Sequence, residues 1–87
     1  LARSLAMEFA PEGINVNVVL PGLVKTEMLD AMASSLTVEQ VQSIVSKHPL
    51  GLGQPRDVAF AIAFLLAETS RWITGSVLTV DGGFTAQ

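Results

Sequence analysis

The stretch from Ile14 to Thr26 constrains the fold more than any other. Ile14, Val16, Val18 and Leu20 occupy every second position, the period that puts alternate side chains on one face of a β-strand. Pro21-Gly22 follows, and because proline has no N–H to donate, the ladder is expected to stop there. In an open α/β sheet the loops at the carboxyl ends of the strands are where ligands sit, so Pro21, Gly22, Leu23, Val24 and Thr26 are the first candidates for a site. The same residues also fit an ordinary strand-to-helix turn, since Pro-Gly marks turns of every kind.

The segments around this stretch read as helix, strand, short helices, long helix, strand. Leu1, Leu5 and Phe9, flanked by Ala2 and Ala6, form a helical stripe. Pro11 is expected to push Ala10 out of the α region, and Gly13 to take the left-handed conformation that ends a helix. Asn17 sits awkwardly in mid-strand: its amide either bonds a neighbouring loop or backbone, or lies at an exposed edge. Glu27 to Ala33 has room for one or two helical turns. Thr37 with Gln40 makes a capping box for a helix reaching Lys47, accompanied by a Leu36–Val41 staple. Pro49 closes that helix. Pro55 opens the next, with Asp57 complementing its dipole.

The helix from Pro55 to about Glu68 is apolar on nearly every side. Val58, Ala61, Ile62, Leu65 and Leu66 make one stripe, and Phe60 and Phe64 stand on its flank. A helix of this kind is expected to be buried nearly all round. The two rings suit either a subunit contact or packing under a neighbouring element of the same subunit. A last short strand spans Ser76 to Val80, stopped by Asp81-Gly82-Gly83, with Phe84 to Gln87 as a tail. Two apolar strands joined by helices imply a parallel pair with a right-handed crossover. Burying Ile14, Val16, Val18 and Leu20 stabilises by about 1.5–3 kcal/mol each, and that needs a third strand or covering helix that these residues do not supply.

Composition points the same way. Of 87 residues, 49% are hydrophobic and only 15% charged, against roughly 25% charged in an ordinary soluble domain. So little charge on so small a body implies that other protein covers much of it. Leu1 already lies inside a helical pattern, so the chain reads as a piece of a longer product. The net charge of -3 gives no basic patch for a phosphate backbone, which argues against nucleic acid as a partner. The longest apolar run, Val58 to Ala67, is shorter than the about 20 residues a membrane span needs. With no cysteine there is neither a disulfide framework nor a thiolate metal site, and no signal-peptide pattern appears, which fits a cytoplasmic setting.

Five motifs in order then carry a resemblance: Leu-Ala-Met-Glu-Phe-Ala-Pro-Glu-Gly-Ile-Asn-Val-Asn from Leu5, Leu-Pro-Gly-Leu-Val-Lys-Thr from Leu20, His-Pro-Leu-Gly-Leu-Gly-Gln-Pro-Arg-Asp-Val-Ala from His48, Ile73-Thr74-Gly75, and Val80-Asp81-Gly82-Gly83. Together they resemble the C-terminal part of short-chain dehydrogenase/reductases, including their 3-oxoacyl-carrier-protein reductases. The resemblance implies the last two strands of a Rossmann-type doubly wound parallel sheet, with residues 1–87 as the closing segment of a single dinucleotide-binding domain. It implies that Pro21, Gly22 and Leu23 form the floor under the nicotinamide of NAD or NADP, that the Val24 backbone meets the carboxamide, and that Thr26 offers its hydroxyl to the carboxamide or a phosphate. Met28, Leu29 and Met32 fall in what would be the lid over a small carbonyl or alcohol substrate, within the variable segment to Lys47. It further implies a homo-oligomer, dimer or tetramer, with the long helix and last strand at one interface, or association with an upstream fragment.

The departures bear on catalysis. The family's hydride transfer uses a tyrosine as general acid/base, a lysine that lowers its pKa and a serine, whereas this chain has no tyrosine. No catalytic residue is assigned to it; alone it is expected to be silent, and its binding of NAD or NADP to be incomplete without the upstream part. Gly51-Leu52-Gly53 is not the pyrophosphate loop, because it follows a helix and Arg56 stands at the third glycine position; it reads as a flexible joint. Ser4, Lys25 and His48 suggest no triad. His48 reads as a helix-end residue and Asp81 as the setter of a turn rather than a metal ligand. A different class of reading also remains: a non-catalytic remnant that self-associates or binds a partner.

Overall fold

The computed structural model describes residues 1–87 and places six regular elements: α1 (Ala2–Phe9), β1 (Val18–Pro21), α2 (Glu27–Ala33), α3 (Val38–Ser46), α4 (Pro55–Leu66) and β2 (Val77–Val80). β1 and β2 pair in parallel, Val18 beside Val77 through Pro21 beside Val80. This is the expected α/β arrangement, a two-stranded part of a Rossmann-type sheet. Each strand leaves its outer edge open, since the sheet holds only these two.

α1 runs into a 3₁₀ turn at Ala10–Glu12, which Gly13 ends at φ 74°. The glycine behaves as expected, but Ala10 does not leave the helical region: its φ and ψ are -55° and -42°. Pro11 instead occupies the first turn of the 3₁₀ segment, where a missing N–H leaves no bond unmade.

The strand is shorter at its start than the alternation suggested and longer at its end. From Ile14 to Asn17 the chain is unladdered, because the residues opposite it follow the turn at Arg71–Trp72 and bend at Gly75, whose φ is 72°. One backbone bond, from the Gly75 amide to the Val16 carbonyl at 2.8 Å, and side chains do the pairing there. Val16 donates to the Thr74 hydroxyl at 2.9 Å, and the Asn17 side chain donates to the Ile73 carbonyl at 3.0 Å while accepting from the Ser76 amide at 3.0 Å. Asn17 therefore takes the loop-bonding role. Pro21 lies inside the ladder rather than after it. The amides of Val18 and Gly22 donate to the Ser76 and Val80 carbonyls at 2.9 Å each. Residues of Pro21's parity turn their amide positions outward, so its missing N–H falls on the open edge, where proline is tolerated.

Capping explains the helix boundaries. The Thr26 hydroxyl accepts from the Leu29 amide and starts α2; Thr37 and Gln40 form both bonds of the capping box on α3. On α4, whose Pro55 sits at the first helical position, the Asp57 carboxylate accepts from the Gln54 amide at 2.7 Å.

The molecule measures 52 × 24 × 19 Å with a radius of gyration of 16.3 Å, against about 12 Å for a compact body of this length. Its accessible surface is 6641 Å², where a compact monomer of this mass exposes about 4,900 Å². Only Ala6 and Ser70 are buried. α4, expected to be covered nearly all round, has no buried residue; Phe60 is 68% and Phe64 52% exposed. Packing within these 87 residues therefore leaves both rings more than half uncovered.

Candidate functional site

The site is built where β1 ends. After Pro21 the chain passes Gly22, which lies so close to β2's exit that a Cβ there would stand 2.7 Å from both the Cα and the Cβ of Asp81. No real Cβ makes such a contact with backbone, so glycine is required by close approach. The next residues run beside the α3–α4 connection. Gly53 donates to the Leu23 carbonyl at 3.0 Å and accepts from the Lys25 amide at 2.8 Å, a parallel bridge between Val24 and Gly53. In that pattern the flanking residues make the bonds, and the central residue turns its own amide and carbonyl away. Val24 accordingly makes no hydrogen bond within the chain through either group, which leaves a donor and an acceptor side by side.

Thr26 closes this segment. Its hydroxyl oxygen accepts from Leu29 at 3.2 Å, so its own proton stays free to donate. Asp81 fixes the opposite wall: the Thr85 hydroxyl donates to one carboxylate oxygen at 2.6 Å, the Thr85 amide to the same oxygen at 2.9 Å, and the Gly83 amide to the other at 3.0 Å. These bonds, the Thr85 hydroxyl's first, hold the Asp81 carboxyl below its ordinary pKa. Asp81 thus sets a turn, as expected. The Phe84–Gln87 segment, expected to be a tail, is a further 3₁₀ turn over Phe84–Ala86.

Two clefts adjoin the loop. One, of about 280 Å³, lies between Gly22–Val24, Leu50–Gly53 and Val80–Gly82. The other, of about 410 Å³, opens beneath α2 and α3 and is almost wholly apolar, with Leu23, Leu29, Met32, Leu36, Val41 and Ile44 in its walls. Leu36 and Val41, the expected staple pair, share this wall. Of the three lid candidates, Leu29 and Met32 face the cleft, while Met28 stands 75% exposed outside it. His48 ends α3 as expected, its Nδ1 3.0 Å from the Ile44 carbonyl. Ser4 lies in α1, far along the chain from the strand-end loop, and nothing joins it to Lys25 or His48.

The sequence reading missed Gly53, treated as part of a flexible joint. Its role is a backbone pairing across 29 positions with Val24, and glycine spacing alone carries no sign of a partner that distant.

Residues 1–85 match the family model described as enoyl-(acyl carrier protein) reductase. The chain belongs to the short-chain dehydrogenase/reductase family. Among its relatives, a chloroplastic tropinone reductase homolog of Arabidopsis thaliana is 45% identical over 84 residues, which cover 95% of this chain and 26% of the relative. A 3-oxoacyl-(acyl-carrier-protein) reductase of Rickettsia prowazekii is also 45% identical over 84 residues, 95% of this chain and 33% of its own length. The segment thus spans about a quarter to a third of these reductases.

Solved structures of the family agree with the fold. ElxO with NADP bound superposes with a TM-score of 0.86 at 44% identity, over 99% of this chain and 35% of that one. A 4-hydroxyisoleucine dehydrogenase complexed with NADH gives a TM-score of 0.88 at 34% identity, over the same 99% and 35%. No helix of this chain is long and apolar enough to cross a membrane.

Proposed function

We propose that this segment supplies an NAD(P)-dependent oxidoreductase with the floor of its nicotinamide site, the lid over its substrate and part of its oligomer surface. The observation that carries the reading is the Val24 backbone: a free N–H and a free C=O, presented together at a strand's carboxyl end by the Gly53 bridge. A primary carboxamide needs one acceptor and one donor in that arrangement. Pro21, Gly22 and Leu23 would form the surface beneath the ring, and the free Thr26 proton would reach the carboxamide or a phosphate. The bound nicotinamide supplies the hydride chemistry with a carbonyl or alcohol; this chain's residues orient the ring, and the apolar walls at Leu29 and Met32 keep water from the substrate.

The acid/base group must come from elsewhere, because the chain has no tyrosine. We therefore place an upstream segment against the open edge of β1, and a second subunit against α4 and β2, in a cytoplasmic enzyme. Native mass spectrometry of the isolated protein tests this. Release of a heavier chain along with the 9.2 kDa species, or a single covalent product containing it, supports the reading; copies of the 9.2 kDa chain alone, with no dinucleotide bound, contradict it.

One observation favours a second reading, a self-associating module without catalysis: a chain with two buried residues and exposed Phe60 and Phe64 gains stability from any apolar cover. A stable homo-oligomer that ignores NADP would establish it.

A further inference from the structure

α3 packs extensively on no other element, so its position depends on the connection that follows it, residues 47–54. That connection is held from one direction by Gly53, through its bonds to Leu23 and Lys25. From the other it is held by the turn after β2. The Phe84 ring stacks on His48 with centroids 4.9 Å apart and planes 20° from parallel. The Gln87 side-chain amide donates to the Lys47 carbonyl at 2.6 Å, and the Leu50 amide donates to the Gly82 carbonyl at 2.9 Å. Asp81 roots the turn through Thr85 and Gly83.

We infer that the Phe84–Ala86 turn with Gln87 is a strap that holds the hinge between α3 and α4, making Phe84 and Gln87 positioning residues for the Val24 backbone. The connection is physical at each step. Phe84 and Gln87 fix His48 and Lys47 at the end of the lid; the hinge then carries Gly53 at a set place; Gly53 holds Leu23 and Lys25, and so fixes where Val24 aims its free donor and acceptor. Phe84 shares a small cleft with Pro21, Gly22 and Leu23, whereas Gln87 does not line it. The mechanical part of the inference stands on these contacts alone, whereas its consequence for cofactor affinity rests on the function proposed above.

Hydrogen exchange in the isolated protein tests both parts. In Phe84→Ala, the amides of Leu50, Gly53 and Lys25 are expected to exchange about three- to tenfold faster, while Val18 and Gly75 in the strand region keep their rates. Phe84→Tyr preserves the stack and restores protection, and Gln87→Ala gives a smaller change at the same three amides. Unchanged rates at Leu50 and Gly53, or an equal acceleration of all amides including Val18, overturn the strap. Titration of the protein, assembled with its upstream segment, with NADPH then separates the two claims. Weaker NADPH binding in Gln87→Ala, at a position that does not line the Phe84 cleft, alongside Phe84→Ala supports the link to Val24, and equal binding in Gln87→Ala despite faster exchange at Gly53 overturns it. A wild-type protein that takes up no NADPH contradicts the proposed function, while the exchange rates still decide the strap.

Discussion

The strand-end loop and α4 face opposite problems. Around the loop, the backbone groups that fix its shape are answered within the chain, with Val24's left free: Gly22 bonds Val80, Gly53 bonds Leu23 and Lys25, Leu50 bonds Gly82, and Asp81 is satisfied by Thr85 and Gly83. Along α4 the backbone is helical, but Phe60, Phe64, Ile62 and Leu66 stay open to solvent. Hydrogen bonds are local and directional, so a short segment can complete them; apolar burial needs volume, which 87 residues spread over 52 Å do not provide. The site end is thus shaped by this chain itself, whereas the helix end depends on what covers it.

Charging the α4 flank breaks the comparison most severely. In the assembled protein Phe64→Asp would bury an unpaired carboxylate, at a cost of several kcal/mol, and native mass spectrometry should show dissociation. The same substitution should leave the hydrogen exchange of Gly53 and Leu50 unchanged if the loop end is self-sufficient. At the loop end itself, Gly22→Ala drives a methyl into the Asp81 backbone and should cost about 1–3 kcal/mol, read as a lowered denaturation midpoint. An unaltered midpoint would mean that the strand exit is looser than the 2.7 Å approach indicates.

Much of this was legible from local chemistry. Helix α2 coincides with the expected Glu27–Ala33, and the Thr37–Gln40 box places the start of α3, because a cap and its amides lie within one turn of each other. α4 ends at Leu66, two residues short of the expected Glu68, where the Ser70 hydroxyl folds back to within 2.8–2.9 Å of the Ala67 and Leu65 carbonyls. What failed was non-local or conformational. The steric bias of Pro11 against a helical Ala10 yielded to a 3₁₀ turn; the ladder at Ile14–Asn17 yielded to side-chain bonds from Asn17 and Thr74; the supposed tail became a turn because Asp81 caps it. At the strand end, Gly22, Leu23 and Val24 line one cleft with Gly53, while Pro21 and Thr26 stand outside it, and Gly53, which aims Val24, was invisible to spacing.

Smaller effects sharpen the picture. Thr37→Ala removes the side-chain half of the α3 capping box and should cost about 1 kcal/mol, seen as reduced helical protection at Gln40 and Val41 with β1 unaffected. The mildest expected effect concerns pH. The Asp81 carboxyl is held below its ordinary pKa by Thr85 and Gly83, so the ionised form is favoured by the folded state. The resulting stabilisation is complete above the unfolded value of about 3.9 and is lost as pH falls through the lower folded value. His48 lines the same small cleft, so the comparison is best made between wild type and Asp81→Asn. The wild type should lose more stability than the variant below about pH 4, and parallel acid-unfolding curves would contradict this.

The most direct measurement follows the Val24 amide by nitrogen-15 NMR as NADP or NAD is added to the protein assembled with its upstream segment. The account predicts a saturable shift of Val24, accompanied by Thr26, with Val77 at the far end of β2 unmoved. Saturable dinucleotide binding that leaves Val24 and Thr26 where they were, or no binding of either dinucleotide, would contradict the assignment of this strand end as the floor of a nicotinamide site.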